Sequence, residues 1–209
     1  MKKYKITFLF DITNLWFEKQ FKKFFLRKSK KYFFFIKKDY KKIKNQDVVF
    51  VINYTKILPE FFLEQNKLTL IPHPSKLPRE KGFAPVQNQI LKNKKKIYFS
   101  LIKAEKKVDS GAIYLQNNFY LDGTELSEEI RLKQGMALLK LIDNFLKIYP
   151  KIKAKQQKGK SNFNRRRKKE DSELNINKSI KEQFNLLRIN DNQLYPSFFK
   201  YKKTKYVLK

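Results

Sequence analysis

The sequence predicts an α/β fold: an open, mostly parallel sheet followed by a short helix and a hairpin. Three observations carry this. Short apolar runs rich in β-formers recur through the first 120 residues. Helix-periodic spacers separate several of them, which implies right-handed crossovers between parallel strands. A long amphipathic helix then closes this region before Pro150.

The elements follow in order. Lys5 to Phe10 (KITFLF) reads as a buried strand, broken by the polar Asp11 to Asn14. Phe17, Phe21, Phe24 and Phe25 fall on one helical face, which predicts a helix over about 15–28. Tyr32 to Ile36 (YFFFI) and Val48 to Ile52 (VVFVI) predict a second and a third buried strand. A short helix is expected over Pro59 to Glu64, with proline accepted in its first turn. Leu68 to Ile71 (LTLI) is the fourth strand, and Val86 to Leu91 a helix. Two more strands are expected at Ile97 to Ile102 and Ala112 to Tyr120. Asp122 to Glu125 resembles an N-cap with a glutamate three residues on. Leu126, Ile130, Ala137, Leu141, Phe145 and Ile148 then mark the long helix. Residues 151–176 are basic and poor in apolar side chains, a linker or wrapping segment. Residues 177–209 hold a last helix, with Asn177 as its cap and Ile180, Phe184 and Leu187 on one face, then a hairpin over Phe198 to Leu208.

Composition bounds the chemistry. The chain has 209 residues, room for one domain and a small extension. It has no cysteine and one histidine, which excludes disulfides, thiolate zinc, a cysteine nucleophile and a multi-histidine metal site. No apolar run approaches the ~18 residues of a membrane span. The run from Ile6 to Phe10 is too short for a secretory signal, so a cytoplasmic location is expected. The net charge of +30 invites a nucleic-acid partner. It comes from lysines spread along the chain, beside abundant Phe, Ile and Asn. These residues share A/T-rich codons, so genome composition accounts for the charge without a partner.

In open α/β sheets, ligands bind beyond the carboxyl ends of the strands. The segment after the fourth strand is Leu70-Ile71-Pro72-His73-Pro74-Ser75-Lys76-Leu77-Pro78-Arg79-Glu80-Lys81-Gly82-Phe83-Ala84-Pro85. It holds the sole histidine between prolines that stiffen the loop. A histidine there can act as a general base near neutral pH. Val108-Asp109-Ser110-Gly111-Ala112-Ile113 follows, and a carboxylate near His73 would orient its ring. By themselves a lone histidine and an Asp-Ser-Gly turn are equally ordinary structure.

His-Pro-Ser-Lys-Leu-Pro, then Gly82 and Pro85, then Val-Asp-Ser-Gly-Ala-Ile resembles the folate-dependent formyltransferase family. The resemblance runs from about residue 46 to 148 and resumes at Phe163, Arg166-Arg167, Glu170-Asp171, Ile180 to Arg188 and Tyr195 to Phe199. It implies a Rossmann-like catalytic domain over 1–150 that uses 10-formyltetrahydrofolate as formyl donor and no metal. An acceptor amine would attack the formyl carbon and form a tetrahedral oxyanion. By residue match, His73 would be the catalytic histidine and Asp109 its partner, while Ser75, Leu77, Pro78, Gly82 and Pro85 would shape the donor pocket. One position departs. The family's asparagine two residues before the histidine is Ile71 here, which has no donor for the oxyanion. Losing one such donor costs about 10²–10³ in rate. Three explanations are open: a slower enzyme, a substitute donor (a backbone N–H, Gln87 or Asn88), or a decayed basic binding module on the same fold. The short tail is similar to that of sugar N-formyltransferases. The resemblance therefore implies an amino-sugar acceptor carried on a nucleotide, with methionyl-tRNA as the alternative. Trp16, Tyr54 and Phe83 are candidates to stack on a base or pterin, or simply core.

Overall fold

The computed structural model describes residues 3–11, 21–22 and 30–208. A six-stranded sheet forms the centre. Its strands are β1 (Tyr4–Phe10), β2 (Tyr32–Lys37), β3 (Val48–Ile52), β4 (Thr69–His73), β6 (Lys96–Lys103) and β7 (Ile113–Tyr120). They lie in the order β2-β1-β3-β4-β6-β7. The first four are parallel, and β6 and β7 run antiparallel at the other side. This is a Rossmann-like sheet that is mostly parallel.

Strand alternation divides the core between the two faces. Ile6, Phe8, Phe10, Val48, Phe50, Ile52 and Leu70 belong to the larger cluster. Leu9, Val49 and Val51 belong to the smaller one, closed by Ile43 and Phe62. Phe62 comes from α1 (Glu60–Glu64), for which Pro59 is the N-cap. The larger cluster is covered by α3 (Ser127–Ile148), whose Ile130, Ala137, Leu138, Leu141, Ile142 and Phe145 are buried at helical spacing. Phe8 and Phe50 stack at 5.2 Å, and Phe145 meets Phe50 edge-on at 5.7 Å. Phe21 packs against Phe8 and Phe10, and Phe21 and Lys22 are helical. The rest of the helix expected over 15–28 lies outside the described residues.

Four expectations need correction. β2 is an edge strand, not a buried one: among the described residues it pairs with β1 alone, and Phe33 and Phe35, on the face opposite Phe34 and the larger core cluster, are 49% and 40% exposed. β4 runs on through Pro72 to His73, so the histidine is the last residue of a paired strand. The long helix starts one turn later than the Asp122–Glu125 cap implies. Glu129 accepts from the Leu126 N–H at 2.9 Å, whereas Glu125 accepts from the backbone of Asp122 and Gly123 in the preceding turn. The last helix, α4 (Ile180–Ile189), is capped by Ser179 with Glu182 rather than by Asn177. Ile180 is exposed, and Arg188 and Ile189 are its buried residues.

The segment after α3 crosses the sheet end as an ordered strap. Lys155 exchanges two backbone bonds with Ile113. Further on, β8 (Phe163–Asn164) pairs in parallel with β5 (Lys81–Gly82), inside the loop that follows β4. The chain finishes with α4 and the hairpin β9 (Phe198–Tyr201) and β10 (Thr204–Val207). Arg188 of α4 is buried against Glu125, its Nη1 3.5 Å from Oε2 and donating to the Glu125 carbonyl at 3.2 Å. No helix among the described residues is long and apolar enough to cross a membrane.

Candidate active site

The carboxyl end of β4 delivers His73 opposite Ser100 of β6. The chain then turns sharply: Ser75 N–H donates to the His73 carbonyl at 2.8 Å, and Ser75 Oγ donates to the Arg79 carbonyl at 2.8 Å. Ser100 Oγ donates to the Ser75 carbonyl at 2.7 Å and accepts from Leu77 N–H at 3.3 Å and Gln116 Nε2 at 2.8 Å. Leu77 is buried, and its peptide bond to Pro78 is cis. Pro85 opens α2 (Pro85–Leu91) as its first residue, where its missing N–H costs nothing. Buried Gln89 closes the far side of the loop, its Nε2 donating to the carbonyls of Pro74 at 2.9 Å and Pro85 at 3.0 Å. The loop from Ser75 to Pro85 is thus held at both ends by internal hydrogen bonds.

His73 and Asp109 come together. His73 Nδ1 lies 3.4 Å from Asp109 Oδ1, and both residues are buried. Asp109 sits at φ +51°, a left-handed conformation that aspartate tolerates better than most residues. Its Oδ2 accepts from the Gly82 N–H at 2.8 Å. Gly111 lets this turn pass β6: a Cβ there would lie 1.8 Å from the Lys103 carbonyl oxygen. Gln157 of the strap donates from Nε2 to the carbonyls of Asp109 at 2.9 Å and Gly111 at 2.8 Å. Its own Oε1 is buried without a hydrogen-bond partner among the described residues.

The second ring nitrogen of His73 is engaged too. Nε2 lies 2.8 Å from the Glu80 carbonyl oxygen. A carbonyl only accepts, so this contact assigns a proton to Nε2. In the neutral ring, Nδ1 beside Asp109 is then the nitrogen able to take up a proton. Glu80 itself is buried at φ +58°. Burial pushes its carboxyl up, but hydrogen bonds from Lys92 and Asn164 outweigh this and hold it below its ordinary value.

The other expected site residues are less engaged. Asn88 Nδ2 donates to the carbonyls of Ala84 at 2.9 Å and Phe83 at 3.2 Å, so its amide closes the entry to α2. Gln87 lines a groove between α2, α3 and α4, beside Val86, Ser127 and Ile189. Ile71 sits two residues before His73 on the same face of β4 and packs against the smaller core cluster. Phe83 is 49% exposed and stacks under the Arg166 guanidinium, 5.9 Å from its ring centre. Tyr54 is half-buried against the smaller cluster, and Trp16 lies outside the described residues. Sequence reasoning missed Glu80, Ser100, Gln89 and Gln157, whose roles depend on partners far along the chain. Among the described residues, no group of three or more His, Asp or Glu side chains could hold a metal ion.

Comparison with known proteins identifies the family. A family model described as Formyl transferase matches residues 18–136. The methionyl-tRNA formyltransferase of Thermodesulfovibrio yellowstonii is 31% identical over 155 residues, 71% of this chain and 50% of that protein. The chain thus spans about half the length of this curated relative. Among solved structures, a methionyl-tRNA formyltransferase from Clostridium thermocellum superposes with a TM-score of 0.83 at 25% identity, covering 97% of this chain and 90% of that one. A 4-N formyltransferase from Francisella tularensis gives 0.72 at 18% identity, covering 98% and 96%, a likeness of fold. With the matched region enclosing β2 to β7, the His73 loop and the Asp109 turn, the chain belongs to the formyl transferase family.

Proposed function

We propose that this chain transfers a formyl group from 10-formyltetrahydrofolate to a primary amine, with His73 and Asp109 handling the protons. The observation that carries the reading is the buried His73 Nδ1–Asp109 Oδ1 pair, 3.4 Å apart, at the carboxyl end of the sheet. The amine nitrogen attacks the formyl carbon, and the carbonyl π pair moves onto oxygen. The tetrahedral species then collapses, breaking the bond from the formyl carbon to the folate nitrogen. The amine loses one proton and the departing folate nitrogen gains one, so one group that accepts and then donates serves both steps. Nδ1 of His73 does this, with Asp109 steadying the charged ring. The Ser75–Pro85 loop walls the donor pocket, and Gln157 Oε1 offers a buried acceptor at the Asp109 turn. Ile71 offers the oxyanion no donor and the Asn88 amide closes the entry to α2, which leaves a backbone N–H or Gln87 as the donor.

For the acceptor, methionyl-tRNA is the first reading. It is favoured by the sequence similarity to methionyl-tRNA formyltransferases. An amino sugar on a nucleotide is the second reading, favoured by the end-to-end match to the 4-N formyltransferase fold. The test is transfer of labelled formyl to methionyl-tRNA and to a panel of 3- and 4-amino-sugar nucleotides, with His73→Ala as control. Label on tRNA, with affinity falling steeply as salt rises, supports the first reading. Label on a sugar with shallow salt dependence supports the second. No label on any acceptor from folded protein contradicts formyl transfer to either.

A further inference from the structure

Glu80 is a buried charge that the reaction above does not use, yet four side chains are spent on it. Lys92 Nζ and Lys94 Nζ reach Oε1 at 2.9 and 3.3 Å, and Asn164 Nδ2 donates to Oε2 at 2.7 Å. Its backbone N–H donates to Asn162 Oδ1 at 3.0 Å. A buried carboxylate needs such partners merely to be tolerated. What they hold, however, is a non-glycine residue at φ +58°, in a region that costs an L-residue about 1–2 kcal/mol. Backbone held in an unfavourable region by its surroundings clusters at functional sites. Here the conformation has one visible consequence: it aims the Glu80 carbonyl at His73 Nε2.

We propose that Glu80 is a positioning residue that sets the tautomer of His73. Its carboxylate is clamped by Lys92, Lys94 and Asn164, so its carbonyl stays on Nε2–H, and Nδ1 is left as the nitrogen that exchanges protons beside Asp109. A ring whose tautomer is fixed by a backbone carbonyl presents its other nitrogen in one state. Two of the holding groups, Asn162 and Asn164, lie 82 and 84 positions downstream of Glu80, so the strap acts on the histidine without touching it. The catalytic consequence rests on the formyl-transfer reading; the tautomer does not.

The single histidine makes the test direct. Protein labelled with ¹⁵N-histidine gives one imidazole, and its long-range ¹H–¹⁵N spectrum, taken where the ring is neutral, reports which nitrogen carries the proton. Wild type is expected to show Nε2–H alone. Glu80→Ala is expected to give a mixture of tautomers, and to lower kcat about tenfold with KM for the donor within about twofold. Asn164→Ala, which leaves Glu80 in place, is expected to move the same signals less far. A wild-type ring protonated on Nδ1 would overturn the proposal. So would folded Glu80→Ala with an unchanged spectrum. If Glu80→Ala does not fold, the wild-type and Asn164→Ala spectra decide alone. Absence of formyl transfer in wild type with an Nε2–H spectrum would count against the proposed function and leave the tautomer assignment standing.

Discussion

Replacing Gly82 by alanine should detach the strap and disable the site together. Gly82 lies at φ +85°, where an L-residue costs about 1–2 kcal/mol. The added Cβ would stand 2.5 Å from the Asn164 carbonyl oxygen and 2.5 Å from Phe163 Cε1. The exposed Phe163 ring can swing away, but the Asn164 backbone cannot move without breaking β5 from β8. That pairing includes Lys81 N–H to the Asn162 carbonyl at 3.0 Å and Phe83 N–H to the Asn164 carbonyl at 3.1 Å. Each such bond contributes about 0.5–1.5 kcal/mol. With the conformational cost, Gly82→Ala should lose about 2–5 kcal/mol in urea unfolding. The Gly82 N–H also holds Asp109 Oδ2, so formyl transfer should fall at the same time. Hydrogen exchange in Gly82→Ala should rise at Lys81 and Phe83, whose amides pair with the strap, and at Gly82, whose amide holds Asp109. Stability within about 0.5 kcal/mol of wild type, with unchanged turnover, would show that neither the β5–β8 pairing nor the Asp109 contact needs glycine at this position.

Further outcomes follow from the same contacts. Ile71→Asn restores a side-chain donor two residues before His73 and should raise kcat by up to about 10²–10³, at a stability cost of about 1–2 kcal/mol from the lost apolar burial. An unchanged kcat in folded Ile71→Asn would mean that another donor already fills the role. Acid stability should depend on Glu125. Burial alone would push its carboxyl up, but the ion pair with Lys133 and the backbone N–H groups of Asp122 and Gly123 bring it down to about 2. A carboxyl lowered on folding stabilises above its unfolded value near 4.5, and that stability drains away as pH falls toward 2. The contribution is roughly 2–3 kcal/mol, and Glu125→Gln should flatten the loss between pH 5 and 2 in urea titrations.

Local pattern carried much of the fold. Runs such as KITFLF and VVFVI bury on both faces, and the long helix repeats its apolar residues at helical spacing, so β1, β3 and α3 were legible. The edge position of β2 was not, because YFFFI is as apolar as a central strand, and only the sheet order exposes it. Pro72 hid the end of β4; its missing N–H is accepted at that position of the ladder with β6. His73 and Asp109 were legible as chemical types in a motif, and their meeting depends on β4 and the β6–β7 turn lying side by side. Glu80 gave no local signal, since a glutamate in a basic loop reads as surface. Its partners Asn162 and Asn164 lie in a stretch whose polarity conceals that it pairs with β5.

On the proposed reading, formyl transfer depends on protons carried by the His73–Asp109 pair. Asp109→Asn tests it most directly, because an amide is nearly the same shape as a carboxylate but cannot balance a charged imidazole ring. The measurement is kcat for tetrahydrofolate release from 10-formyltetrahydrofolate with a saturating acceptor, across pH. A fall of about 10²–10⁴ in kcat with donor KM little changed is expected, in a protein that unfolds like wild type. Turnover within about twofold of wild type at every pH would contradict it.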